Sequence, residues 1–281
     1  MIILIGLIFL AMLIALFLLA HLRNFRNVFL NEVHKGVDRT SGIPVKYLTE
    51  KDIATLPAPV QKYIRYTGVL GKEKVMNFRV FFQGQLQDIG KPKFRVHITQ
   101  FSYLDIPTRF FYITGKMRGL PVAALHIYKD THAAFQVKLF SAFSIVNQKE
   151  GNLNIAETVT MLNDMCLLAP ATLIDKRITW EPIDELHSRA IYSNNGIKVS
   201  AVLEFNPSGQ LVSFSSEDRF YLNPKGEMIR TKWTTPVHNY RDFKGVKIAS
   251  EGTAYWSFPD RDFTYAWFRI ADVEYNVKKQ K

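Results

Sequence analysis

The chain has 281 residues, 47% of them hydrophobic, and a formal charge of +11. That length accommodates one large β domain plus an extra segment as readily as two domains, and the apolar fraction is enough for a sizeable core. A single cysteine, Cys166, excludes an internal disulfide and any Cys-based metal cluster. The basic surplus favours anionic lipid headgroups over nucleic acid: there is no helix-turn-helix, zinc pattern or Lys/Arg run, and the basic residues are scattered through strand-like segments.

Residues 1–20 contain no charged side chain. As a helix, twenty residues reach about 30 Å, the thickness of a bilayer core. The n-region lacks basic side chains and no small-x-small cleavage site follows, so the run reads as an uncleaved, single-pass transmembrane helix rather than a signal peptide. Arg23 and Arg26 flank it, and the positive-inside rule then puts the body on the cytoplasmic side of the cell membrane. The expected organisation is a transmembrane anchor over 1–22, a juxtamembrane segment over 23–54 and a β-rich domain over 55–276.

Residues 21–48 carry mixed charge and read as a helix ending in a loop at Gly42 and Pro44. Thr49 and Asp52 are spaced to cap a short turn. In LPAPVQKYIRYTG, Pro59 suits the start of a helix, Val60, Tyr63 and Ile64 share one face, and Gly68 suits its end. From Val75 the hydrophobic period changes to two: Met76, Phe78, Val80, Phe82, Gly84 and Leu86 alternate with mostly polar residues. Further strand-like runs follow at Phe94–Tyr103, Thr108–Lys116, Ala123–Lys129 and Ala133–Val146, separated by turn residues.

The one long helical pattern of the second half begins near Asn154 and ends at Pro170. Asn154 and Glu157 have capping-box spacing. Ile155, Val159, Leu162, Cys166 and Ala169 form a stripe that Met161, Met165 and Leu168 widen, with Glu157, Thr160 and Asp164 on the opposite side. The stripe suits a core helix, and its unbranched Met side chains suit the wall of an apolar cavity.

Strand patterns then resume over Ile178–Ile183, Ser188–Tyr192, Ile197–Phe205, Gln210–Tyr221, Met228–Tyr240, Val246–Phe258 and Phe263–Tyr275. Asn195-Gly196, Pro207-Ser208-Gly209 and Pro224-Lys225-Gly226 supply tight turns. Such turns make an antiparallel meander, because parallel strands need helical crossovers. Phe263–Tyr275 is apolar on both faces, so both faces are covered. The fold class expected is mainly β (α+β): a curved antiparallel sheet or half-barrel wrapped on a central helix, with an N-terminal transmembrane helix.

Together, LPAPVQKYIRYTG, MRGLP, WEPID, YRDFKGVKI with Glu251-Gly252, and Glu274-Tyr275-Asn276 resemble a widespread bacterial family with a domain of unknown function, over residues 55–276. The resemblance implies no reaction, so no catalytic residue follows from it. The strands–helix–strands order also resembles the lipoprotein-carrier architecture, an unclosed half-barrel around helices with an apolar cavity. That likeness implies a shape and not a function.

No H-E-x-x-H, G-x-S-x-G, P-loop or dinucleotide fingerprint is present, and His97, His126, His132, His187 and His238 lack metal-ligand spacing. Asp260 and Asp262 suit a turn. No catalytic residue, metal or cofactor is therefore expected. Glu217, Arg219, Glu251 and Arg269 lie in strand-like runs, as cross-strand ion pairs or as the polar end of an apolar pocket. Trp180, Trp233, Trp256 and Trp267 serve as core anchors or cavity walls. With Met161 and Met165, these ten residues form the candidate ligand site. The function expected is a membrane-tethered binding protein for a lipid or other apolar molecule. The alternatives are an interaction module with a filled core, or a hydrolase or isomerase of a lipophilic substrate. The oligomeric state is not set by the sequence.

Overall fold

The computed structural model describes residues 2–223 and 225–279, without the side chains of residues 2, 18, 19 and 21–24. Pro224, expected in a turn, and the Arg23 side chain, invoked for orientation, lie outside the described residues.

Alternating apolar residues build two antiparallel meanders. The first comprises β1 (Asn77–Leu86), β2 (Phe94–Tyr103), β3 (Thr108–Met117), β4 (Leu120–Lys129), β5 (His132–Leu139) and β6 (Phe143–Lys149). The second comprises β7 (Ile178–Pro182), β8 (His187–Asn194), β9 (Ile197–Phe205), β10 (Leu211–Ser216), β13 (Lys232–Phe243), β14 (Val246–Ser257) and β15 (Asp262–Tyr275), with a two-stranded excursion, β11 (Phe220–Leu222) and β12 (Met228–Arg230). The meanders join where β1 pairs with β15, giving one sheet ordered β6-β5-β4-β3-β2-β1-β15-β14-β13-β10-β9-β8-β7. Three expected single strands are each broken, and one of them, Met228–Tyr240, divides at Thr231 into β12 and β13. Ala133–Val146 turns at Phe140 and Ser141, both at positive φ. Gln210–Tyr221 leaves the sheet after Ser216, and β13 returns beside β10.

The helix α4 (Asn152–Leu168) connects the two meanders and touches strands of both, from β4, β5 and β6 to β8, β9, β10 and β14. The sheet therefore curves around it. The register separates the two faces of the sheet. Phe78, Val80 and Phe82 point inward with Ile98, Phe111, Ile270 and Val273, and join the main core with Val159, Leu162 and Met165 of α4. The short helices α2 (Glu50–Ile53) and α3 (Ala58–Thr67) close one end. The Thr49 N–H donates to Asp52, Val60, Tyr63 and Ile64 are buried, and Gly68 ends α3 at φ 71°.

The transmembrane expectation is overturned: no helix among the described residues is long and apolar enough to cross a membrane. The apolar run does not end at a boundary near residue 22. It continues as one helix, α1 (Ile2–Ser41), whose second half belongs to the folded body. Phe25, Phe29, Val33 and Val37 recur every four residues and bury against Phe101, Tyr103, Phe110 and Tyr112 on the convex face of β2 and β3. The single-pass, cell-membrane and cytoplasmic-side expectations fall with the transmembrane one.

Candidate functional site

The helix α4 carries the centre of the site. Its apolar residues explain its burial, but Glu157, Asn163 and Asp164 are buried as well, none more than 6% exposed. Glu157, Thr160 and Asp164, on the side opposite the apolar stripe, are thus enclosed by the sheet, which supplies partners for the carboxylates. Asn154 and Glu157 do not form a capping box. The Asn154 carboxamide accepts from the Ala133 N–H and donates to Glu150, and Glu157 turns inward.

On the inner row of β3, Arg109 donates from Nε to Asp164 Oδ2 at 2.6 Å and from Nη1 to Glu157 Oε2 at 3.3 Å. Between β10 and β11, Arg219 donates from Nη1 to Glu157 Oε1 at 3.2 Å and to the Ala156 carbonyl at 2.8 Å. Gln100 on β2 donates to Asp164 Oδ2 at 2.7 Å. His126 on β4 places Nδ1 3.4 Å from Glu157 Oε2 and packs its ring 3.8 Å, centroid to centroid, from Phe135. One carboxylate on the helix thus draws cations from both meanders. A buried charge is stable only when paired in this way.

The electrostatics follow from that packing. Burial raises the Glu157 carboxyl, but His126, Arg219 and Arg109 outweigh it and hold the group well below the usual carboxylate range. Asp164 goes up, because burial exceeds the pull of Arg109 and Gln100. His126 goes down, mainly through burial, with Arg109 and Arg219 adding to it against the attraction of Glu157.

Aromatic rings frame the cluster. The Arg219 guanidinium lies 4.5 Å from the Trp233 ring and 5.6 Å from Trp256, and Arg109 lies 4.2 Å from Phe111. Tyr265 stacks on Trp256 and accepts the Trp233 indole N–H at 3.0 Å. Beyond the end of the sheet that α4 fills, the inward row continues through Leu86, Phe94, Ile113, Val137, Phe263 and Phe268, each only partly buried. This is an apolar trough whose floor is the ion cluster. Gly84 lies within it: an added Cβ would meet Trp267 O at 2.2 Å and Phe268 Cδ1 at 2.5 Å, so the close approach of β1 and β15 there requires glycine.

Of the ten sequence candidates, the structure brings together Arg219, Trp233 and Trp256. Met161 and Met165 are fully buried in the packed core. Trp180 stands on β7, its indole donating to Leu173 O, beside a cavity of about 270 Å³. A second cavity, of about 280 Å³, lies between the end of α1 and Asn276. Trp267 is on the convex face beneath Lys93, 3.4 Å from the ring centroid. Glu251 and Arg269 face each other across β14 and β15 on the convex side, Glu251 with His238 and Arg269 with Gln83. Glu217 is exposed near Lys232. Sequence reasoning missed Arg109, His126, Glu157 and Asp164 as a group. The one available signal was Glu157 and Asp164 seven residues apart on one helix face, with an isolated Arg109 in an apolar strand.

Comparison with known proteins places residues 46–268 in a match to the model of a family of unknown function, DUF6544. This meets the expectation of an uncharacterised family. A search of curated proteins finds no match. Among solved structures, the chain is similar to a LolA superfamily protein from Nitrosomonas europaea, at 10% identity and a TM-score of 0.40, covering 77% of this chain and 91% of that one.

Proposed function

We propose that this chain, which belongs to the DUF6544 family, is a binding protein holding a lipid or similar apolar molecule along the concave face of its sheet. The observation that carries this reading is the inward row Leu86, Phe94, Ile113 and Phe268, left partly exposed where α4 ends its cover. An acyl chain laid there gains about 0.8 kcal/mol per buried CH₂. The full-length protein, extracted with organic solvent after purification, should yield a bound lipid or fatty acid by mass spectrometry. The double substitution Ile113→Gln, Phe268→Gln should remove it. Recovery of no apolar molecule from any expression host, or full retention by the variant, overturns the proposal. A second reading, an interaction module with a filled core, draws support from the complete burial of Met161, Met165 and Leu162 around α4. It is favoured if the extraction is empty.

A further inference from the structure

Two polar groups beside Trp256 have hydrogen-bonding capacity that nothing satisfies. Among the described residues, Arg219 Nε and Tyr221 Oη are buried without a hydrogen-bond partner. Tyr221 packs edge-on against Trp256, 5.8 Å between ring centroids, and the Arg219 guanidinium lies 5.6 Å from the same ring. A buried donor left unmet carries its full desolvation cost, so a pair of them at the base of an apolar groove is suited to an acceptor that arrives with a ligand.

The donor count says what kind of acceptor. Arg219 is 9% exposed, carries five N–H donors and cannot lose its charge. Its Nη1 is used by Ala156 O and Glu157 Oε1. Nε–H remains. Glu157, the carboxylate nearest to it, is already matched by Arg109 and Arg219 on separate oxygens. Asp164 is matched by Arg109 and Gln100. The open positions are an arginine N–H and a hydroxyl, a pair that suits an oxygen-rich anion better than an ammonium group.

Building on the proposed binding function, we propose that the ligand is an amphiphile with a carboxylate head, which Arg219 receives at the trough floor while the acyl chain runs out past Phe268. The test uses the tryptophans at the floor as reporters. Full-length protein is titrated with 9,10-dibromostearate and with its methyl ester, following bromine quenching of tryptophan fluorescence, and Trp256→Phe locates the signal. The acid should bind at least about tenfold more tightly than the ester, in keeping with a charge-assisted hydrogen bond. In folded Arg219→Gln the acid and the ester should bind with equal affinity. Equal affinities in the unaltered protein overturn the head-group assignment while leaving apolar binding intact, and that comparison needs no variant to fold. A preference that survives in folded Arg219→Gln also overturns it. Quenching by neither compound overturns this inference together with the binding function.

Discussion

Replacing Glu157 by Gln tests whether the ion cluster holds the fold together. The side chain keeps its shape and one acceptor oxygen but loses the charge facing Arg109 at 3.3 Å and Arg219 at 3.2 Å. Asp164 still balances Arg109. Arg219 keeps the Ala156 carbonyl and its place over the Trp233 ring but no counter-charge, so one buried guanidinium becomes uncompensated. Breaking a buried pair from one side costs about 3–5 kcal/mol. For a chain of this size that lowers the thermal midpoint by roughly 6–20 °C. The assay is a thermal melt followed by circular dichroism, with Glu50→Gln as control, because the Arg65–Glu50 pair is exposed and its loss should leave the midpoint nearly unchanged. Arg219→Gln in the Glu157→Gln background should cost much less than either change alone, since it removes the stranded charge. A Glu157→Gln midpoint equal to that of Glu50→Gln refutes the argument.

The His126 imidazole is held below its usual 6.5 in the fold, chiefly by burial, so the unfolded chain takes up its proton first as pH falls. Stability should therefore decline as pH drops below about 6.5. His126→Gln should flatten the thermal midpoint between about pH 7.5 and 5.5, and an unchanged slope would contradict this. For Gly84→Val, the clash with Trp267 O and Phe268 predicts a loss of at least about 1–3 kcal/mol in urea unfolding, and a neutral result would show that the strands part freely there. Phe29 is 3% exposed and stacks 5.2 Å from Tyr112, so Phe29→Ala should cost about 3–5 kcal/mol. A loss under about 1 kcal/mol would mean that α1 contributes little to the fold.

The strands were legible because a half-buried strand writes its inward face at every second position, as Phe78, Val80 and Phe82 do. The helix α3 was legible because Val60, Tyr63, Ile64 and Gly68 carry its face and its end. What the pattern could not show was adjacency between distant segments. The β1–β15 seam joins Phe78 to Tyr275, residues far apart in the chain, and no local signal encodes that pairing. The partners of the polar face of α4 were hidden for the same reason. Glu157 and Asp164 look solvent-facing until Arg109 and Gln100 arrive from β3 and β2, which only the tertiary fold brings there. The half-exposed row of the trough was hidden too, because Ile113 and Phe268 have the same pattern as fully buried neighbours, and coverage by α4 alone distinguishes them.

The two carboxylates of α4 have different reach, and this separates stability from function. Asp164 is bound only by Arg109 and Gln100, both from the first meander. Glu157 bridges Arg109 of the first meander and Arg219, which follows β10 of the second. It therefore ties the two arms of the sheet to one point on the helix, and the distance between those arms sets the width of the trough. Asp164→Asn and Glu157→Gln each remove a buried charge beside an arginine, so both should destabilise the fold. Only Glu157→Gln should also weaken quenching by the methyl ester of dibromostearate, which makes no ionic contact and senses groove width alone. Equal ester affinity in folded Glu157→Gln and Asp164→Asn would refute the bridging role of Glu157 and leave the groove's shape to the backbone of the sheet.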